Sequence, residues 1–231
     1  MENKDLTQKS ESKKTIKVVE TFVGYGAQCL ALTLLKKVMP SLDFVVVGIA
    51  DIKLSAIKAY NKLHGTRFRR QDITKMHWRK LPPFDLLTYS FPCQDLSVGG
   101  KQRGAEEGSG TRSSLLWEIK KGLQVLAEVD NLPRVLLMEN VTGLLNINNK
   151  QTLDKWANFL ETLGYTSFTE VVNAKDFGIP QARERVFMVS LLKQDDTEIN
   201  FSFPEPIECR IKPEDILERF VDDSYYYLRA A

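Results

Sequence analysis

The segment from Asp43 to Ile49 carries Phe44-Val45-Val46-Val47, an unbroken apolar run rich in β-branched residues. Such a run marks a strand buried on both faces, which needs helices above and below it. The flanking sequence supplies them. Lys17 to Phe22 reads as a first strand. After Gly24 and Gly26, the residues Ala27, Leu30, Ala31, Leu34, Leu35 and Val38 recur at helical spacing until Pro40. Lys53 to His64 reads as a second helix, Thr66 to Arg69 as a short third strand leading to Asp72, and Phe84 to Tyr89 as a buried strand. Ser113 to Val129 is amphipathic, Arg134 to Met138 is a further strand, and Leu153 to Leu163 is a helix stopped by Gly164. Tyr165 to Val172 and Val186 to Leu192 complete the set as two late strands. Strand and helix alternate, so the expected class is α/β, with a mainly parallel sheet and helices on both faces.

The 231 residues suffice for one such domain with a full core. A hydrophobic content of 43% and a charged content of 27% are ordinary for a globular protein, and no apolar run approaches the ~20 residues of a membrane span. Residues 1–15 read as a disordered polar leader that lacks the apolar stretch of a signal peptide. Residues 16–192 read as the folded domain and 193–231 as an acidic extension. The cysteines Cys29, Cys93 and Cys209 lack metal-ligand spacing and make no disulfide framework, which points to a reducing, cytoplasmic setting and to no metal site. A net charge of +2 does not advertise nucleic-acid binding. Arg67, Arg69, Arg70, Lys75, Arg79 and Lys80 do cluster, and a solvated face explains them as readily as a binding surface.

The chemistry sits where strands end. Ser90-Phe91-Pro92-Cys93-Gln94 places a thiol just after a buried strand, with Pro92 stiffening the approach. The glycine-rich stretch to Gly110 follows and would form a flap over a bound substrate. The bland alternative is that Cys93 is a small buried hydrophobe. Phe22-Val23-Gly24-Tyr25-Gly26 offers two glycines at a helix N-terminus, where backbone can approach a ligand. Asp51 ends the second strand, where nucleoside-binding α/β folds hold a carboxylate for ribose hydroxyls, and Asp72 ends the third. Three such strand ends in a row point to a nucleoside cofactor. Glu139-Asn140-Val141 brings a carboxylate to the edge where Cys93 sits, which is costly unless paired or functional. Gln181-Ala182-Arg183-Glu184-Arg185 precedes the last strand, with both arginines on one side at period-2 spacing.

Together these segments resemble the cytosine-C5 DNA methyltransferase family. Phe22 to Gly26 is similar to its first cofactor motif, Phe91-Pro92-Cys93-Gln94 to its nucleophile motif, Glu139-Asn140-Val141 to its acid motif, and Gln181-x-Arg183-x-Arg185 to its arginine motif, in family order. The resemblance covers about Val18 to Leu192. It implies a Rossmann-like methyltransferase fold that uses S-adenosylmethionine, and a catalytic constellation of Cys93, Gln94, Glu139, Asn140, Arg183 and Arg185. Cys93 would add to C6 of a flipped-out cytosine, Glu139 would serve N3, Arg183 would favour the thiolate, and Arg185 would hold the nucleotide. Phe22, Gly24, Gly26, Asp51, Ile52, Asp72, Ile73, Pro92 and Leu115 would line the cofactor site. Double-stranded DNA would be the substrate, in a restriction-modification or phage system. A transfer-RNA cytosine methyltransferase and a non-catalytic DNA-binding subunit are the alternatives.

The chain departs from the family pattern at Glu20, Asp51, Ala27 and Ser90. It also shows no match to the recognition region or to the closing segment that relatives carry after the last strand. A truncated copy and the catalytic half of a two-subunit enzyme both fit this; the expectation taken forward is a second polypeptide that carries both parts, seated on a flank of the first helix around Leu34, Leu35 and Val38.

Overall fold

The computed structural model describes residues 14–92, 112–194, 198–208, 210–218 and 220–222. Its sheet has six strands: β1 (Lys14–Thr21), β2 (Leu42–Ala50), β3 (Leu86–Tyr89), β4 (Val135–Asn140), β5 (Tyr165–Asn173) and β6 (Glu184–Leu192). They lie in the order β2-β1-β3-β4-β6-β5. The first four are parallel, whereas β6 runs antiparallel to both β4 and β5. The helices are α1 (Ala27–Val38), α2 (Leu54–His64), α3 (Leu116–Ala127), α4 (Ile147–Thr162) and a last short turn, α5 (Pro213–Ile216). This is the expected mixed α/β class. No helix among the described residues is long and apolar enough to cross a membrane.

Successive side chains of a strand point to opposite faces, and β2 uses both. Ile49 packs in a smaller core with Val23, Cys29, Ile57 and Tyr60, under α1 and α2. Its neighbour Ala50 packs in the larger core on the other face, with Leu87, Tyr89, Leu136, Met138, Val186 and Met188 under α3 and α4. Trp156 of α4 anchors that larger core: it is fully buried, and its indole N–H donates to the Tyr89 hydroxyl at 3.0 Å. The register of β1 against β2 slips between Val18 and Val19, so that Val18 faces Val46 but Val19 faces Gly48. Burial on both faces of β2 was the reading drawn from its β-branched run, but only Ile49 and Ala50 reach it: β2 is the edge strand, so Phe44, Val46 and Val47 are half-buried and Val45 is 44% exposed.

The expected third strand at Thr66 to Arg69 does not form. Asn61 takes the backbone groups such a strand would need for pairing: its Oδ1 accepts from Phe68 N–H at 2.9 Å and its Nδ2 donates to the Phe68 carbonyl at 2.8 Å. What remains of the pairing is a single antiparallel bridge between Asp51 and Gln71. Other differences are of boundary. β1 begins at Lys14, inside the stretch read as leader, and α4 begins at Ile147, six positions before Leu153. Glu139 and Asn140 close β4 rather than following it.

α1 is less buried than its periodicity suggests. Among its side chains only Cys29 is buried. Leu30, Leu34 and Val38, spaced four apart along one face, are 48%, 52% and 77% exposed, with Leu35 at their side.

Candidate active site

The carboxyl ends of the parallel strands share one edge of the sheet. Because β6 is antiparallel, its first residues, Glu184 and Arg185, reach that same edge beside Asn140. Strand order then divides the edge in two. The ends of β2 and β1 bring Asp51 and Ile52 beside the turn from Phe22 to Gly26. The ends of β3, β4 and β6 bring the Ser90–Pro92 segment beside Glu139, Asn140 and Arg185.

In the first half, the turn has three residues at positive φ: Phe22 at 58°, Gly24 at 53° and Gly26 at 88°. Glycine tolerates this region, but at Phe22 the conformation stores strain of about 1–3 kcal/mol, as functional sites often do. Asp51 organises the turn from outside. Its Oδ2 accepts from Gly24 N–H at 3.0 Å and its Oδ1 from Lys53 N–H at 2.8 Å. Each oxygen keeps a further lone pair for a ligand hydroxyl. A side chain at Gly24 would meet nothing within 4 Å, so the turn opens to space there. Ile52, beside Asp51, is 62% exposed and offers an apolar surface. An open backbone turn, a carboxylate and an exposed apolar side chain fit the nucleoside part of S-adenosylmethionine.

The remaining expected cofactor residues differ in what they offer. Asp72 caps a 3-10 turn at Ile73–Lys75, where its Oδ1 accepts from the Thr74 N–H and hydroxyl at 3.0 and 2.8 Å. Those bonds hold its carboxyl below the usual range. With no third strand to end, Asp72 owes its place to this turn. The Ile73 side chain is buried in the larger core, so its packing is structural. Pro92 and Leu115 are half-buried, with Leu115 packed against the same core.

In the second half, Arg185 Nε lies 3.0 Å from Glu139 Oε1, with both side chains half-buried. The carboxylate at the end of β4 is thus paired across to β6. Asn140 is 3% exposed, and its Nδ2 donates to the Phe91 carbonyl at 3.1 Å. This bond tethers the chain two residues before Cys93. Cys93, Gln94 and the glycine-rich stretch to Gly110 lie outside the described residues. Arg183 is exposed and borders a cleft of about 420 Å³ with Thr142, Asn173, Gln181 and Arg185. Asn173 Oδ1 accepts from Arg183 N–H at 3.1 Å and so fixes the arginine segment to the end of β5. The sequence reading missed Thr142 and Asn173, which carry no motif. It also missed Gln28, whose Nε2 donates to Ser90 Oγ at 3.0 Å and ties α1 to the segment that leads to Cys93. Among the described residues, no group of three or more His, Cys, Asp or Glu could hold a metal ion.

A model of the C-5 cytosine-specific DNA methylase family matches residues 16–230. The chain belongs to this family. It is 33% identical over 264 aligned residues to the type II methyltransferase M2.ScrFI of Lactococcus lactis subsp. cremoris, covering 91% of this chain and 70% of that one. It is 36% identical to the orphan methyltransferase M.SssI of Spiroplasma monobiae, over 80% of this chain and 62% of that protein. Among solved structures it is similar to the Entamoeba histolytica methyltransferase EhMeth, with a TM-score of 0.71 at 19% identity, covering 93% of this chain and 63% of that one. The last likeness concerns the fold, and it supports the Rossmann-like methyltransferase architecture. Enzymes of this methylase family use S-adenosylmethionine as methyl donor, in keeping with the open turn, Asp51 and Ile52.

Proposed function

We propose that this chain is the catalytic part of a DNA cytosine-C5 methyltransferase that works through an adduct between Cys93 and the target base. The observation that carries this reading is the arrangement at the ends of β4 and β6. Glu139 is paired with Arg185, and Asn140 holds the Phe91 carbonyl just ahead of Cys93. A cytosine inside a duplex hides C6, so the base must leave the stack to meet these groups. The Cys93 thiolate would then add to C6 while Glu139 supplies a proton to N3, which turns C5 into an enamine-like carbon. S-adenosylmethionine, when bound, supplies the methyl group; loss of the C5 proton to a base and expulsion of the Cys93 thiolate from C6 would then free the 5-methylcytosine. Arg185 would keep the Glu139 carboxyl oriented toward the base, and Arg183, in the adjoining cleft, would favour the thiolate. A role in restriction-modification is the corresponding biological setting, since several relatives are type II methyltransferases.

The cofactor half of the reading has its own test. Replacing Asp51 with alanine removes the acceptor for the Gly24 and Lys53 N–H groups and for a ribose hydroxyl. The expected result is a Kd for S-adenosylmethionine raised by about tenfold or more, read by calorimetry. Unchanged affinity would move the ribose site away from β2.

The stripe of Leu30, Leu34 and Val38 on α1, the helix that follows the cofactor turn, is an apolar face of the kind that marks an interaction site, and an apolar segment of a partner would seat there. The reading is tested by methylation of duplex DNA and, separately, of transfer RNA. Label that enters transfer RNA and not DNA would reverse it.

A further inference from the structure

The glycine turn has a closed side as well as an open one. α2 presents Tyr60 and His64 one turn apart on a single face, with ring centroids 4.7 Å from each other. The His64 Nε2–H donates to the Tyr25 carbonyl at 3.0 Å. Tyr60 is wholly buried, and its hydroxyl donates to the Glu20 carboxylate of β1, which is also wholly buried. The fit against the turn is tight. A side chain at Gly26 would come within 2.4 Å of His64 Nε2 and 2.7 Å of the Tyr60 ring.

The turn depends on such outside support. Gly26 caps α1 at φ 88° without any side-chain cap, and Phe22 holds a conformation its own side chain disfavours. Asp51 supports the open side through Gly24 N–H. On the closed side, the backing is Tyr60 and His64. Beneath them, burial raises the Glu20 carboxyl above its usual range, while the bond from Tyr60, the nearby His64 and the Cys29 backbone oppose that shift. No family motif quoted above includes Tyr60 or His64.

We propose that His64 and Tyr60 are positioning residues of the cofactor site, which hold the Phe22–Gly26 turn in the shape that receives S-adenosylmethionine. This rests on reading that turn as the cofactor turn. Both side chains act through the turn's backbone, at Tyr25 and Gly26, and leave the space at Gly24 open.

The test uses the full chain with His64→Ala and His64→Gln, since glutamine can place an N–H donor where Nε2 stands. Two quantities are read: the Kd for S-adenosylmethionine and the amide hydrogen exchange of Gly24, Gly26 and Leu30. Loss of the bond to the Tyr25 carbonyl should weaken cofactor binding about fivefold. Exchange at the two turn amides, and at Leu30 in the first turn of α1, should speed up while amides of β4 stay as protected as in the parent, and His64→Gln should recover most of both effects. Unchanged affinity and exchange in His64→Ala would overturn the proposal. So would a uniform rise in exchange that includes β4, which would mark His64 as a general stabilising residue. A parent chain that binds no S-adenosylmethionine, with turn amides still loosened by His64→Ala, would instead refute the cofactor reading of the turn.

Discussion

Cys93→Ser is expected to abolish methyl transfer and to remove the denaturation-resistant complex with DNA carrying 5-fluorocytosine. The thiolate is the attacking species in this chemistry. A free thiol ionises near pH 8.5, within reach of a neighbouring cation, whereas a serine hydroxyl is not ionised by any group at this edge. The fluorine at C5 blocks the final proton loss, so an enzyme that has added to C6 stays attached to the base. The surroundings bear on the same point. The Asn140 bond to the Phe91 carbonyl and the Gln28 bond to Ser90 fix the chain just before Cys93. A serine variant should therefore keep its fold and its cofactor affinity while losing the adduct. An adduct that persists in denaturing gels would assign the nucleophile to another residue.

Glu139→Gln comes next in expected size, with a fall in single-turnover rate of roughly 10²–10⁴-fold, the usual range for a lost proton-transfer group. Glutamine keeps the shape and can still accept from Arg185 through its carbonyl oxygen, but it cannot donate a proton to N3. Arg185→Ala should also cut the rate, because it leaves the half-buried Glu139 carboxylate without its 3.0 Å partner and free to turn from the base. The two losses should not add, since both residues act on one group. A Glu139→Gln rate within tenfold of the parent would place the N3 proton elsewhere.

The sequence displayed most of the sheet because buried parallel strands leave a plain mark. Phe84 to Tyr89 and Arg134 to Met138 are short apolar runs with few rivals for their identity, and Phe44 to Val47 marks the edge strand β2 in the same way although it is only half-buried. The catalytic neighbourhood was legible in part: strand ends converge on one edge, so Glu139 was expected beside Cys93, whereas its pairing with Arg185 depends on β6 running antiparallel to β4. What escaped notice depended on tertiary partners. Thr66 to Arg69 has the composition of a strand, but the Asn61 side chain claims the Phe68 backbone first. Asp72 looked like a ligand carboxylate and is also the cap of a short turn. His64 and Tyr60 read as ordinary helix residues, since nothing in a helical period reveals that a glycine turn presses against them. The open flank of α1 was expected around Leu34, Leu35 and Val38, and the structure extends it to Leu30.

The most direct test of the central claim is nucleoside analysis of duplex DNA after incubation with labelled S-adenosylmethionine. The purified protein is assayed beside its Cys93→Ser variant. The account predicts label in 5-methylcytosine at a defined sequence, absent in Cys93→Ser. Label that survives in Cys93→Ser, or that enters a base other than cytosine, would contradict the catalytic assignment itself.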